Sequence, residues 1–130
     1  MFDVRVSRIP DDDDTLDVAS EVKVTINGEP LILDTSMFKH SPTGFNYGYG
    51  GSGPAQLAGQ LMYEFLRQYL SSEYSNGQIL TLAKLLYQDF KWSYIASKDQ
   101  LGAFTLDEQL FLEFLRTHAP QLLEGGALLE

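Results

Sequence analysis

The chain has no cysteine, which excludes disulfides and thiolate-bound metals and leaves the redox compartment open. Its two histidines, His40 and His118, are far apart and form no ligand pair along a helix, so no metal site is expected. Cations are scarce as well. Nine Lys and Arg face eighteen Asp and Glu, and the net charge of −9 sets the surface against nucleic-acid backbones and anionic membranes. The same charge permits a basic protein as partner, or a DNA-mimicking face, although solubility is the plainer reason for it. No apolar run reaches membrane-spanning length. The start, Met1-Phe2-Asp3-Val4-Arg5, lacks the cationic and apolar segments of a secretory signal, so a cytoplasmic protein with no membrane partner is expected. What is present suffices for one core, since 44% of 130 residues are apolar.

Phe2, Val4 and Val6 alternate with Asp3, Arg5 and Ser7, the period of a strand, which Pro10 and the run Asp11 to Asp14 end. Four consecutive aspartates lack the alternating spacing and glycine turn of a calcium loop and read as a solvated turn. Val22, Val24 and Ile26 alternate again; Asn27-Gly28 is a type I′ hairpin signal, and Leu31 and Leu33 continue a return strand. Residues Ala55 to Leu70 read as the main helix, with Leu57, Leu61, Phe65 and Leu66 on its core face. A polar break, Ser71 to Gly77, precedes a second helix from about Ile79 to Phe90. Trp92, Tyr94 and Ile95 make Lys91 to Ser97 a candidate fourth strand, and a loop follows from Asp99 to Phe104. Thr105-Leu106-Asp107-Glu108 has the form of a capping box opening a last helix limited by Pro120, with His118 placed to cap its carbonyls. The expectation is a single α+β domain over residues 1–120. A small, mainly antiparallel sheet of three or four strands packs against about three helices, and residues 121–130 form a C-terminal tail.

Between the sheet and the main helix lies the stretch Ser41 to Ala58. Four glycines from Gly48 to Gly53 imply a tight loop, and Pro54 suits the first turn of a helix. With Ser52 or Gly53 as N-cap and Gln56 reaching back, free N–H groups would form a generic anion site. Gly48-x-Gly50-x-x-Gly53 matches the dinucleotide fingerprint formally, but lacks the preceding buried strand and the later acidic strand end. No Gly-Lys-Ser/Thr follows, which removes the phosphate loop of nucleotide hydrolases, and an acetyl-coenzyme A loop would want basic residues that are missing here. His40 beside Ser41 would point to the opposite side of an extended segment, a poor hydrolytic pair. With no acid/base pair in view, an enzyme of transferase or hydrolase type is the least supported reading, and no cofactor is implied.

The run Ser41-Pro42-x-Gly44-Phe45-x-Tyr47-Gly48-Tyr49-x-Gly51-Ser52-Gly53-Pro54-Ala55-Gln56-Leu57-Ala58, followed by Tyr87-Gln88-x-Phe90-Lys91, resembles an uncharacterised family of small proteins from bacteria, archaea, phages and plasmids. That family is catalogued as a domain of unknown function with the hallmark S-P-x-G-F-x-W-G-Y-x-G-S-G-P-A-Q-L-A. Tyr47 replaces its usual tryptophan, and Gly59 stands where leucine is usual. The resemblance implies no activity; it implies a mobile-element setting and, with it, interference with host defence. The leading expectation is a non-enzymatic binding module in which Tyr49, Gly50, Gly51, Ser52, Gly53 and Gln56 hold a small anionic ligand such as a nucleotide signal. Lys91 would add charge, and His40, Ser41, Phe45 and Tyr47 would border the site. The alternative is an acidic inhibitor that docks on a host protein through exposed Phe45, Tyr47 and Tyr49. A third reading leaves the loop purely structural, its glycines letting the chain pass close under the sheet. Gly53→Asp separates these, since ligand capture predicts a folded protein that no longer binds.

Overall fold

The structure, a computed structural model, describes residues 1–123. Strands β1 (Asp3–Arg8), β2 (Val22–Ile26), β3 (Glu29–Pro30) and β4 (Phe104–Asp107) form one sheet in the order β3-β2-β1-β4, every pair antiparallel. Helices α1 (Ser52–Leu70), α2 (Asn76–Phe90) and α3 (Glu108–His118) pack with it into an α+β fold, the class that the residue pattern implies. Alternation works as expected: Phe2, Val4, Val6, Val24 and Leu106 are buried in the core, while Arg5, Lys23 and Thr105 on the other face are exposed. Arg8 has the inward parity and is buried too.

Local chemistry sets the turns. Asn27 and Gly28 take φ of 53° and 85°, the two positive values that a type I′ hairpin needs. Pro30 lies opposite Thr25, whose amide faces β1, so its missing N–H breaks no ladder bond. Beyond Pro30 the chain leaves the sheet after one more bond, from Leu31 N–H to Val24 C=O at 2.9 Å. The return strand is therefore much shorter than Leu31 and Leu33 suggest.

Helix α1 is the centre of the molecule. Residues 53–63 are buried on every side, and Leu57, Leu61, Phe65 and Leu66 are fully enclosed. Around its middle, Phe65 stacks on Phe111 at 4.8 Å and Phe90 on Phe111 at 4.9 Å, with Phe2 edge-on to both Phe65 and Phe111. Helix α2 begins at Asn76 with a reciprocal capping box between Ser75 and Gln78.

Two expectations are corrected. Lys91 to Ser97 holds no strand: Lys91–Ile95 continues α2 as one wide π-helical turn, closed by Ala96 N–H on Lys91 C=O at 2.8 Å. The extra residue turns Lys91 and Ile95 inward, and this burial outweighs the strand preference of Trp92 and Tyr94. The fourth strand is Phe104–Asp107, on the outer side of β1. Thr105 is accordingly a strand residue paired with Arg5, and the N-cap of α3 is Asp107, which accepts from Leu110 N–H at 2.9 Å. After α3 a 3-10 turn, Pro120–Leu123, buries Leu122 and Leu123; most of the expected tail lies outside the described residues.

Candidate binding site

Gly48, Gly50, Gly51 and Gly53 face protein, whereas Gly44 has open space beside it. Gly48, at φ 85°, donates its N–H to Ile95 C=O at 3.0 Å and lies so close to the Gln100 backbone that a Cβ would overlap it. The Trp92 ring rests on Gly50, the Tyr49 ring covers Gly51, and Gly53 abuts Asn46. Helix α1 starts from Gly51 without a side-chain cap and with no acidic residue in its first turn. Gln56 does not reach back to it.

Two buried polar clamps hold the segments around this loop. In the first, Gln56 Oε1 accepts the N–H groups of His40 and Ser41 at 3.0 and 3.2 Å, while its Nε2 donates to Asp34 C=O and Gln60 Oε1. Gln60 binds Asp34 N–H and Ile32 C=O, so two glutamines one helical turn apart tie residues 32–41 onto α1. In the second, Arg8 donates to Gln100 C=O at 2.6 Å, Ser20 C=O at 3.1 Å and Asn46 Oδ1 at 2.6 Å, with its guanidinium 4.5 Å above the Tyr47 ring. Arg8 is absent from the sequence-based candidates, although its inward parity in β1 marks it. Tyr47, expected to be an exposed anchor, is fully buried, edge-on to Phe104, and its hydroxyl has no hydrogen-bond partner. Burial raises its pKa above the ordinary tyrosine value, against a smaller opposing effect of Arg8.

The remaining candidates are scattered. His40 Nε2 meets Tyr87 Oη at 2.6 Å, and Gln88 donates to the same oxygen, so the His40 ring is engaged away from Ser41. His118 stacks on Phe114 at 4.2 Å and lies 3.7 Å from Asp89 instead of capping carbonyls. Lys91 is buried, with its ammonium 4.2 Å from the centre of the Trp92 ring. It is connected to the glycine loop through that ring and lines none of the cleft described next. Among the described residues, no group of three or more His, Asp or Glu side chains could hold a metal ion, and no helix is long and apolar enough to cross a membrane.

What the fold does form is a cleft of about 840 Å³ between the outer edge of β2 and the loop leading into α1. Its lining includes Val22 and Val24 of β2, Leu31 and Leu33 of the segment after β3, and Phe45 and Tyr49 of the loop before α1. Ser52 and Gly53, at the start of α1, also line it, and among the described residues their N–H groups have no hydrogen-bond partner. Gly53 cannot carry a side chain without displacing Asn46 and, through it, Arg8; Gly53→Asp therefore probes packing, and the exposed Ser52 is the position that probes binding. The cleft shares Ile9 and Glu21 with a second concavity of about 700 Å³, bordered by Asp11, Asp12 and Asp13. Hydrogen bonds from Thr15 hold the Asp13 carboxyl below its ordinary pKa. Of the residues expected to bind, the structure brings Ser41, Phe45, Tyr49, Ser52 and Gly53 to the cleft, and Gly50, Gln56 and Lys91 are engaged within the protein.

None of the curated proteins and none of the solved structures matches this chain. A family model does match, over residues 16–117, a span that includes β2, every cleft-lining residue but Ile9, all of α1 and α2, and nearly all of α3. The chain thus belongs to a family of unknown function, DUF6166.

Proposed function

We propose that the protein is a non-enzymatic binding module whose partner is another protein, held in the cleft beside β2. The observation that carries this reading is the cleft's lining: apolar side chains stand open to solvent at its rim, with Ile32 73% and Tyr49 and Ile9 both 41% exposed. An open trough of mixed lining, with exposed apolar side chains at its rim and an acidic border, fits a polypeptide better than an enclosed small molecule. The packing of Gly48, Gly50 and Gly53 against Gln100, Trp92 and Asn46 gives those glycines a structural task and removes the need for a phosphate to explain them. A mobile-element role, with the partner a host defence protein, is the setting that the sequence resemblance proposes.

The test is a quantitative pull-down with wild-type bait, a cleft variant (Ile32→Ser with Tyr49→Ala) and a control on α2, Leu85→Ser, which removes an equally exposed apolar side chain outside the cleft. A partner kept by the control and lost by the cleft variant is the expected result; retention by all three contradicts it.

A second reading, capture of a small anion, is favoured by the uncapped N–H groups of Ser52 and Gly53. Ser52→Asp separates the two. A carboxylate in the first turn should stabilise the fold by about 0.3–1 kcal/mol, and it should abolish any thermal shift produced by nucleotides, coenzyme A derivatives or phosphate. No shift with the wild-type protein removes this reading.

A further inference from the structure

We infer that the cleft takes an extended, basic segment of the partner as an added strand along the outer edge of β2; the inference rests on the cleft being the binding site. The sheet register determines which groups face it. Ile9 N–H donates to Glu21 C=O and Asn27 N–H to Asp3 C=O, each at 2.8 Å, while Arg8 lies opposite Val22 and Val6 opposite Val24. The hydrogen-bonded pairs between β1 and β2 are therefore Ser7 with Lys23 and Arg5 with Thr25, and the amides of Val22, Val24 and Ile26 face the other edge. There Ile26 is paired with Glu29, and Val24 C=O accepts from Leu31. Val22 is left over: among the described residues, neither its N–H nor its C=O has a hydrogen-bond partner. The chain leaves the edge after Leu31, so the trough opens along the part of β2 whose ladder is unfinished. An added strand would lie about 4.8 Å from β2, and its backbone would complete that ladder.

Charge selects the occupant. Asp11, Asp12, Asp13 and Glu21 border one end of the trough, and Lys23 is the cation lining it. A strand that alternates apolar residues with Lys or Arg would turn the apolar set to Leu33, Phe45 and Tyr49 and bring the basic set near the carboxylates. A second copy of this chain is a poor occupant, because its own β2 edge has the same acidic border and the net charge is −9.

The experiment selects random displayed heptapeptides against the full chain. The enriched sequences are then synthesised plain and N-methylated at alternate positions, and titrated into ¹⁵N-labelled protein. The expected peptides alternate apolar with Lys or Arg, shift the Val22 and Lys23 amides, and lose about tenfold in affinity when one alternate set, and only one, is methylated. Combining Asp11→Asn, Asp12→Asn, Asp13→Asn and Glu21→Gln should weaken them several-fold. Val22→Pro, which removes only the outward N–H, should weaken them too, with Val22→Thr as the folding control. No enrichment, enrichment of acidic peptides, or indifference to methylation of both sets overturns strand addition. If phosphate or a nucleotide moves the Ser52 and Gly53 amides while no peptide is enriched, the cleft stands as a site and strand addition falls. If nothing moves the cleft amides, both fall.

Discussion

Tyr47 carries a hydroxyl that the fold buries without a partner, under the guanidinium of Arg8. Leaving a polar group unsatisfied costs free energy that phenylalanine would not incur, so Tyr47→Phe should leave stability unchanged or raise it by about 1 kcal/mol in chemical denaturation. The same burial gives a pH signature. The folded-state pKa lies above the unfolded value of 10.0, so the contribution is fully present below pH 10.0 and is lost as pH rises through the folded pKa. Wild type should lose more stability than Tyr47→Phe over that alkaline range. Gly59 shows the converse economy, because the Phe38 ring occupies the space of its missing side chain and an alanine Cβ would lie 2.5 Å from Phe38 Cδ1. Alanine gains about 1 kcal/mol of helix propensity, against roughly 1–3 kcal/mol for overpacking. Gly59→Ala should therefore not stabilise the protein in thermal melts, and Phe38→Leu should relieve whatever destabilisation it causes. Both residues stood out in the sequence against the motif that the resemblance implies, but their neighbours did not: Phe38 and Arg8 reach them from distant positions that no local pattern connects.

The elements read from the sequence are those with strong local codes. β1, the Asn27-Gly28 hairpin and the apolar periodicity of α1 stand where the residues place them, because alternation, positive φ and helical spacing each need only neighbours in sequence. The π turn at Lys91–Ile95 was not legible. Trp92 and Tyr94 prefer strands, and only the burial of Lys91 and Ile95 and the contact of Trp92 with Gly50 reveal why the helix runs on. Likewise Thr105 and Asp107 both suit an N-cap, and the choice was made by β4 pairing with β1, which uses Thr105 as a strand residue. Asp107→Ala should accordingly cost about 1 kcal/mol in equilibrium unfolding through loss of the cap, whereas Thr105→Ala should cost only the smaller strand-pair contribution of about 0.2–1 kcal/mol. The opposite order would return the cap to Thr105.

At the scale of the whole molecule, composition anticipated the acidic surface but not how it is arranged. The aspartate run borders a trough, and the trough exists because β3 stops after two residues and leaves Val22 unpaired. The aromatics of the glycine loop divide in the same way: Tyr47 enters the core, whereas Tyr49 stays at the rim and Trp92 is brought to the loop from outside it. Exposed strand edges are usually protected by charge, proline or a covering loop. Here the pairing with β2 stops at Leu31, and the uncovered stretch beyond it is the proposed meeting place with a partner. Amide hydrogen exchange along β2 tests this most directly. Lys23 and Thr25, bonded to β1, should be protected, and Val22 should exchange at least about tenfold faster although it adjoins Lys23 in the same strand. Protection of Val22 equal to that of Lys23 would mean that the chain already covers its own edge, and the proposed docking site would be closed.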